Sequence, residues 1–239
     1  MSWFAKLLGH REKKREFSFS PLQLERLENW RKLPEIDQRA AHVATRYVVV
    51  DVESSGLNMK KDRLISIGAV ALVDGKMDLH DSFQVILRQE QVSTHENILI
   101  HGIGGSAQSE GVEPVEALLA FLHYIGKAPL VAYHAFFDQA MIDKAMCEYL
   151  GIELGRTWID LAWLLPDFFQ YRTDTNISLD DWLKLFGIEN ILRHNAVSDA
   201  FATAQLLQVA IAAAVHKGAE SPDSFLQIEK ARRWLRQSR

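Results

Sequence analysis

Apolar residues gather along the chain in two kinds of run. Some are short blocks rich in β-branched and aromatic residues, and others are longer stretches spaced about 3.6 residues apart. Residues 46–52 form the first short block, Tyr47 and three valines closed by Asp51, with Glu53 just beyond. That composition reads as a strand buried between layers. Residues 63–73 (Arg-Leu-Ile-Ser-Ile-Gly-Ala-Val-Ala-Leu-Val) predict a second strand. Asp74-Gly75 is a hairpin signal, so a third strand should return antiparallel to about residue 88. Residues 129–133 and 157–160 predict a fourth and a fifth. Helices fall among and after these strands. One opens at Pro114 and stops at Gly126, one is led into by His134-Ala-Phe-Phe-Asp138 and ends near Gly151, and one follows Asp160. Another starts at Ser178, with Asp181 three residues on as in a capping box, and ends at Gly187. The segment His194–Asp199 opens a long Ala- and Leu-rich helix to about residue 216, with Ser198 as its N-cap. Alternating strands and helices with one antiparallel pair predict an α/β fold on a mixed sheet.

The two ends of the chain read differently. Residues 1–45 hold nine Lys or Arg and six Asp or Glu, a net +3. Ser20-Pro21 is a helix start, and Leu22, Leu24, Leu27 and Trp30 follow at loosely helical spacing. This predicts a helical N-terminal extension that packs on the main domain, residues 46–216. Docking to a protein partner, a nucleic acid or a membrane surface is the other reading of its charge. Trp3, Phe4, Leu7 and Leu8 make an apolar start too short for a signal peptide. Residues 217–239 form a basic tail (Arg232, Arg233, Arg236, Arg239), expected to be an exposed helical end without chemistry.

Composition narrows the function classes. Hydrophobic residues make up 48% of the 239, enough for a globular core. With 27 basic and 31 acidic residues the net charge is −4, so no strong overall field draws nucleic acid. Metals bound at a site can still supply positive charge there. Cys147 is the single cysteine, which excludes a disulfide framework and a cysteine-rich zinc site. A reducing, cytoplasmic compartment fits. No apolar run is expected to reach the roughly 20 residues of a membrane span. The glycine-rich stretch 98–105 lacks the Lys and Ser/Thr of a phosphate-cradling Walker loop.

The acids give the sharper signal. Positions 51 and 53 lie on one face of a strand, where two carboxylates repel and lose hydration unless a divalent cation lies between them. Ser54-Ser55-Gly56 then predicts a tight turn, with Gly56 in a conformation closed to other residues. Asp138 and Asp199, each taken alone, are ordinary helix-start acids. All four stand at strand ends or helix starts, and in a mixed α/β sheet such ends can converge on one edge. Their hard oxygen ligands suit Mg²⁺ or Mn²⁺ rather than Zn²⁺.

At these residues the sequence resembles the Asp-Glu-Asp-Asp-His 3′–5′ exonuclease family, which includes the proofreading (epsilon) subunit of bacterial DNA polymerase III. Asp51-Val-Glu53-Ser-Ser-Gly-Leu57 is similar to its first motif, Asp-x-Glu-Thr-Thr-Gly-Leu. Val131-Ala-Tyr-His-Ala-Phe-Phe-Asp138 is similar to the second, Val-Ala-His-Asn-Ala-x-Phe-Asp, and His194-Asn-Ala-Val-Ser-Asp199 fits the third, His-x-Ala-x-x-Asp. His101-Gly-Ile, Glu96, Asp160 and Ser178-Leu-Asp fit as well, and the match runs from residue 46 to about 212. The chain departs from the pattern at Ser54-Ser55, which keeps the hydroxyls of Thr-Thr, and at Tyr133-His134 in place of His-Asn. The resemblance implies a ribonuclease H-like five-stranded mixed sheet flanked by helices. It implies two divalent cations, Mg²⁺ or Mn²⁺, on Asp51, Glu53, Asp138 and Asp199, with His194 as general base. It also implies contacts to the terminal nucleotide of a strand with a free 3′ end from Ser54, Ser55, Gly56, Leu57, Glu96, His101 and His134. Single-stranded DNA is the expected substrate. An oligoribonuclease- or ribonuclease T-like activity on RNA has the same motifs, and a non-catalytic nucleic-acid-binding module is the third class. The proofreading subunit carries its polymerase-binding tail after the exonuclease domain, whereas the spare residues here precede it, so a stand-alone relative is expected.

Overall fold

A computed structural model describes residues 17–169 and 177–238. Trp3, Phe4, Leu7 and Leu8, on which part of the N-terminal expectation rests, lie outside the described residues, as does Arg239. Strands β1 (Tyr47–Ser54), β2 (Leu64–Val73), β3 (Lys76–Ile86), β4 (Leu130–Ala132) and β5 (Trp158–Asp160) form one sheet in the order β3-β2-β1-β4-β5. β1 pairs antiparallel with β2 and parallel with β4, and β4 is parallel to β5. The β2–β3 hairpin turns at Asp74 and Gly75, both with left-handed φ (51° and 71°), as the Asp-Gly signal predicts. β1, β4 and β5 therefore deliver their C-terminal ends to one edge of the sheet.

Alternation along β1 sorts its side chains between two cores. Val48, Val50 and Val52 pack with Leu118, Leu122, Met141 and Ile142, from α4 (Pro114–Ile125) and α5 (Phe136–Ala145, continued as a π-helical turn to Leu150). Tyr47 and Val49 face Leu161, Leu165, Leu206 and Leu207 on the other side, from α6 (Leu161–Phe168) and α8 (Ala196–His216). Asp51 and Glu53 continue this second, odd-numbered face, which directs them toward α8. Short helices α2 (His95–His101) and α3 (Gly105–Ser109) occupy the glycine-rich stretch, and α7 (Leu179–Phe186) precedes α8. α8 is long and apolar enough to cross a membrane by length and composition, which corrects the expectation that no run reaches that length. Half of that stretch is buried, and the helix packs on β1 and β2 as a core element.

Both ends of the described chain are docked. α1 (Pro21–Lys32) buries Leu27 and Trp30 against α4, and the Trp30 indole donates to the Gly126 carbonyl at 2.8 Å. The expectation of an exposed helical end after residue 217 is corrected. α9 (Pro222–Gln237) buries Phe225 completely between His42 and Phe168, and its Glu229 and Arg233 reach Asp160. Phe225 lies in the first turn of α9, ahead of the arginines on which the reading of a solvated tail rests.

Candidate active site

The edge where β1 ends is built by three elements. Asp51 and Glu53 project from β1 toward the first turn of α8, which carries Asp199. Ligand oxygens of Asp51, Glu53 and Asp199 all lie within 4.8 Å of one another. Asp138, in the first turn of α5, arrives from the other side of the sheet and accepts the backbone N–H of Val52 at 3.1 Å. Val52 sits between Asp51 and Glu53, so that bond ties Asp138 to the same strand end. Asp199 is buried and accepts from the His194 N–H (3.0 Å), from Arg193 (3.1 Å) and from the Asn190 side-chain amide.

Burial and mutual repulsion dominate the electrostatics. Burial, then the charges of Asp199 and Asp138, push the Glu53 carboxyl up to about 8. Burial pushes Asp138 up to about 8 against the pull of its backbone hydrogen bonds. Asp51 is held well above the usual carboxylate range by burial and by the charges of Asp138, Asp199 and Glu53. Acids so placed hold protons, or else need cations. An all-carboxylate donor set on one edge fits hard divalent ions. An acid whose folded-state value lies above its unfolded one stabilises the fold while protonated. That contribution is complete below the unfolded values of 3.8 and 4.5 and is lost as pH climbs through about 8. In chelator, the melting temperature should therefore fall by several degrees between about pH 5 and 8.5, and Mn²⁺ should restore it at the upper end. A flat profile in chelator, read by calorimetry, would show that the four acids do not repel in the folded state.

Close packing fixes where α8 begins. Gly68 on β2 pairs with Asp51, and a Cβ there would lie 2.2 Å from backbone atoms of Ala196 and Val197. Only glycine lets the helix start lie flat on the strands and bring Asp199 to Asp51. The Asn195 side chain caps this helix by accepting the Ser198 N–H at 3.2 Å, which corrects the expected Ser198 cap. Ser198 instead accepts the Leu192 N–H and donates to Asn190, holding the loop that carries His194. Gly68→Ala should displace the helix start, lower stability by about 1–3 kcal/mol and cut the rate per folded molecule by about 10²-fold, since a misplacement near 1 Å costs about that much. Wild-type melting and wild-type turnover in that variant would show that the close approach does not set the site.

The remaining predicted residues divide by position. His194 is exposed in a left-handed conformation (φ 60°), one residue before the helix cap. His134 is likewise exposed and left-handed (φ 62°) at the end of β4, its ring edge-on to Tyr133. Leu57 is 86% exposed just beyond β1. Ser54 belongs to β1 itself and donates to the Gly56 carbonyl, and Ser55 donates to Asp62. Gly56 is not in the left-handed region, a correction to the turn expectation. A Cβ there would meet the Asp62 carboxylate at 2.5 Å, and Ser55 and the Asn58 N–H hold that carboxylate in place. His101 is buried, with Nδ1 accepting the Ile103 N–H and Nε2 facing Asn97 and Ser93, so both ring nitrogens are committed within its own loop. Glu96 is exposed on the same short helix. At α7 the Ser178 hydroxyl caps the Asp181 N–H, but the Asp181 carboxylate takes that hydroxyl rather than completing a capping box. Sequence reasoning missed Gly68, whose signal was a lone glycine inside a strand. It also missed Arg193, whose guanidinium bridges Asp199 and Asp180 (2.6 Å) and sets a positive charge beside the acids.

Comparisons with known proteins agree with this architecture. The RNase_T family model, described as exonuclease, matches residues 48–207. The PolC-type DNA polymerase III of Thermotoga petrophila is 28% identical over 160 residues, covering 67% of this chain and 11% of that relative. The PolC-type enzyme of Bacillus subtilis is 29% identical over 184 residues, covering 75% and 12%. The chain thus spans about a tenth of the length of these relatives. Among solved structures, E. coli exonuclease I in complex with a dT13 oligonucleotide superposes with TM-score 0.60 at 16% identity, covering 72% of this chain and 42% of that one. Exonuclease X in complex with 5′ overhanging duplex DNA superposes with TM-score 0.60 at 18% identity, covering 77% and 99%. At these identities the likeness is one of fold.

Proposed function

We propose, for a chain that belongs to the exonuclease family, that it is a 3′–5′ exonuclease that removes nucleoside monophosphates one at a time from the 3′ end of single-stranded DNA. The observation that carries this reading is the convergence of Asp51, Glu53 and Asp199 within 4.8 Å, with Asp138 bonded to the same strand end. These four carboxylates would hold two divalent cations, Mg²⁺ or Mn²⁺. When bound, such ions supply positive charge where the phosphodiester gathers negative charge. His194 is exposed and its backbone N–H donates to Asp199, and its imidazole takes a proton from the attacking water. The water oxygen bonds to phosphorus, the bond to the departing 3′-oxygen breaks, and that oxygen gains a proton from solvent. The products are a nucleoside 5′-monophosphate and a strand one residue shorter with a 3′-hydroxyl. Leu57 and His134, both exposed at this edge, lie against the terminal nucleotide, and Ser54, Ser55 and Gly56 shape the turn below them. The DNA bound to exonucleases I and X supports the choice of substrate class.

A 5′-labelled single strand should shorten in a ladder, and a 3′-labelled one should release mononucleotide at once. Excess chelator should stop both reactions and Mn²⁺ should restart them. Cleavage of a closed circular strand would point to an endonuclease instead. Faster degradation of a matched RNA would move the reading to the exoribonuclease class, and duplex with recessed ends would test the strand preference.

A further inference from the structure

We infer that the C-terminal helix α9 is a working part of the site. Its Arg233 and Glu229 clamp Asp160, and through that carboxylate Arg233 acts as a positioning residue for His134. Asp160 is buried at the end of β5, next to the β4 end that carries His134. One of its oxygens accepts two backbone N–H groups, from His134 at 2.9 Å and from Ala162 at 3.1 Å. The other faces the Arg233 guanidinium at 3.3 Å. Glu229 completes the clamp, accepting the Asp160 N–H at 3.1 Å and the Arg233 Nε–H at 2.8 Å. Arg233 is held in turn over the Trp163 ring, 4.6 Å from its centroid.

The two backbone bonds to Asp160 serve different ends. The Ala162 bond caps α6, an ordinary structural task. The His134 bond holds a non-glycine residue at φ 62°, a conformation that surroundings must impose. Acceptance of an N–H is strongest from an ionised carboxylate. Burial pushes the Asp160 carboxyl up, while Arg233 and the two N–H groups pull it down. Loss of the guanidinium therefore weakens the grip on His134 without touching β1 or α8. Asp138, four residues on, has its own anchor in the Val52 N–H. The effect should then fall on the residue proposed to meet the substrate and spare the acids.

This inference rests on the reading of His134 as a substrate contact, and two measurements separate the two ideas. The first is hydrogen exchange of the His134 amide in the full chain. Arg233→Ala should speed it by roughly tenfold or more while amides of β1 and β2 keep wild-type protection. Arg233→Lys should restore part of the protection. The second is kinetics on a short single strand. Arg233→Ala should raise KM by roughly three- to tenfold with kcat within about twofold, and His134→Ala should do the same. If Arg233→Ala proves too unstable, Glu229→Gln is the gentler variant and should shift both readouts the same way. Unchanged exchange at His134 in either folded variant would overturn the relay. Faster exchange with an unchanged KM in both Arg233→Ala and His134→Ala would uphold the relay and overturn only the substrate contact. An equal fall in kcat for every variant would show that α9 supports the fold as a whole and would overturn the assignment.

Discussion

Asp51→Asn is expected to lose cleavage by several orders of magnitude while the metal-free protein becomes more stable. The pairing of those two outcomes is the signature of a cation site. Asn keeps the shape and one oxygen of Asp but carries no charge, so it is a poor ligand for a hard divalent ion. An ion displaced or misplaced removes charge from the point where the transition state needs it. Asp51 is also the cleanest of the four to change. Asp199 accepts bonds from His194, Arg193 and Asn190, and Asp138 from Val52, so their replacement disturbs loops as well as charge. Asp51 is held well above the usual carboxylate range by burial and then by Asp138, Asp199 and Glu53, so removing its charge relieves repulsion. In chelator near pH 8 the variant should melt higher than wild type, and added Mn²⁺ should raise its melting temperature less. Titration calorimetry with Mn²⁺ should show weakened binding. Near wild-type turnover in Mg²⁺, or a lower melting temperature in chelator, would each contradict the proposed use of these acids.

The parts of this fold that were legible in the sequence are those governed by local rules. Tyr47 to Val52 alternate between two cores, and that period of two placed Asp51 and Glu53 on one face before any helix was known to lie over it. Asp74-Gly75 named its hairpin because only certain residues tolerate two successive left-handed positions. Pro114 and Gly126 bounded α4 for equally local reasons, a fixed φ at one end and a cap at the other.

What stayed hidden depends on partners far away in the chain. Gly68 looks like one small residue in a run of small ones until Ala196 lies on it. Gly56 suggested an unusual φ, whereas the requirement is space for the Asp62 carboxylate. Both Asn195 and Ser198 can cap a helix, and the choice between them is made by Asn190 and Leu192, which occupy the Ser198 hydroxyl. Arg193 reads as a loop cation, and the tail arginines as solvated charge, because nothing near them in sequence names Asp180, Asp199 or Asp160 as their partners. Local chemistry thus identified which residues could act, and tertiary packing decides which of them are held in place to do so.

His194→Asn should lower kcat by about 10²–10⁴-fold, the usual contribution of a positioned general base, while metal binding stays close to wild type. The substitution is chosen for the backbone. His194 sits at φ 60°, and asparagine enters that region more readily than alanine does. Its backbone N–H, which donates to Asp199 at 3.0 Å, is also retained. Asn thus removes the imidazole while leaving the loop and the Asp199 bond as they are. Because the ring is exposed and is not assigned as a ligand, Mn²⁺ affinity by calorimetry should change little, in contrast to Asp51→Asn. A histidine that only packs before α8 predicts the opposite pattern, a lower melting temperature with turnover per folded molecule preserved. Near wild-type kcat in folded His194→Asn would remove the histidine from the chemistry and leave the proton of the attacking water to another acceptor.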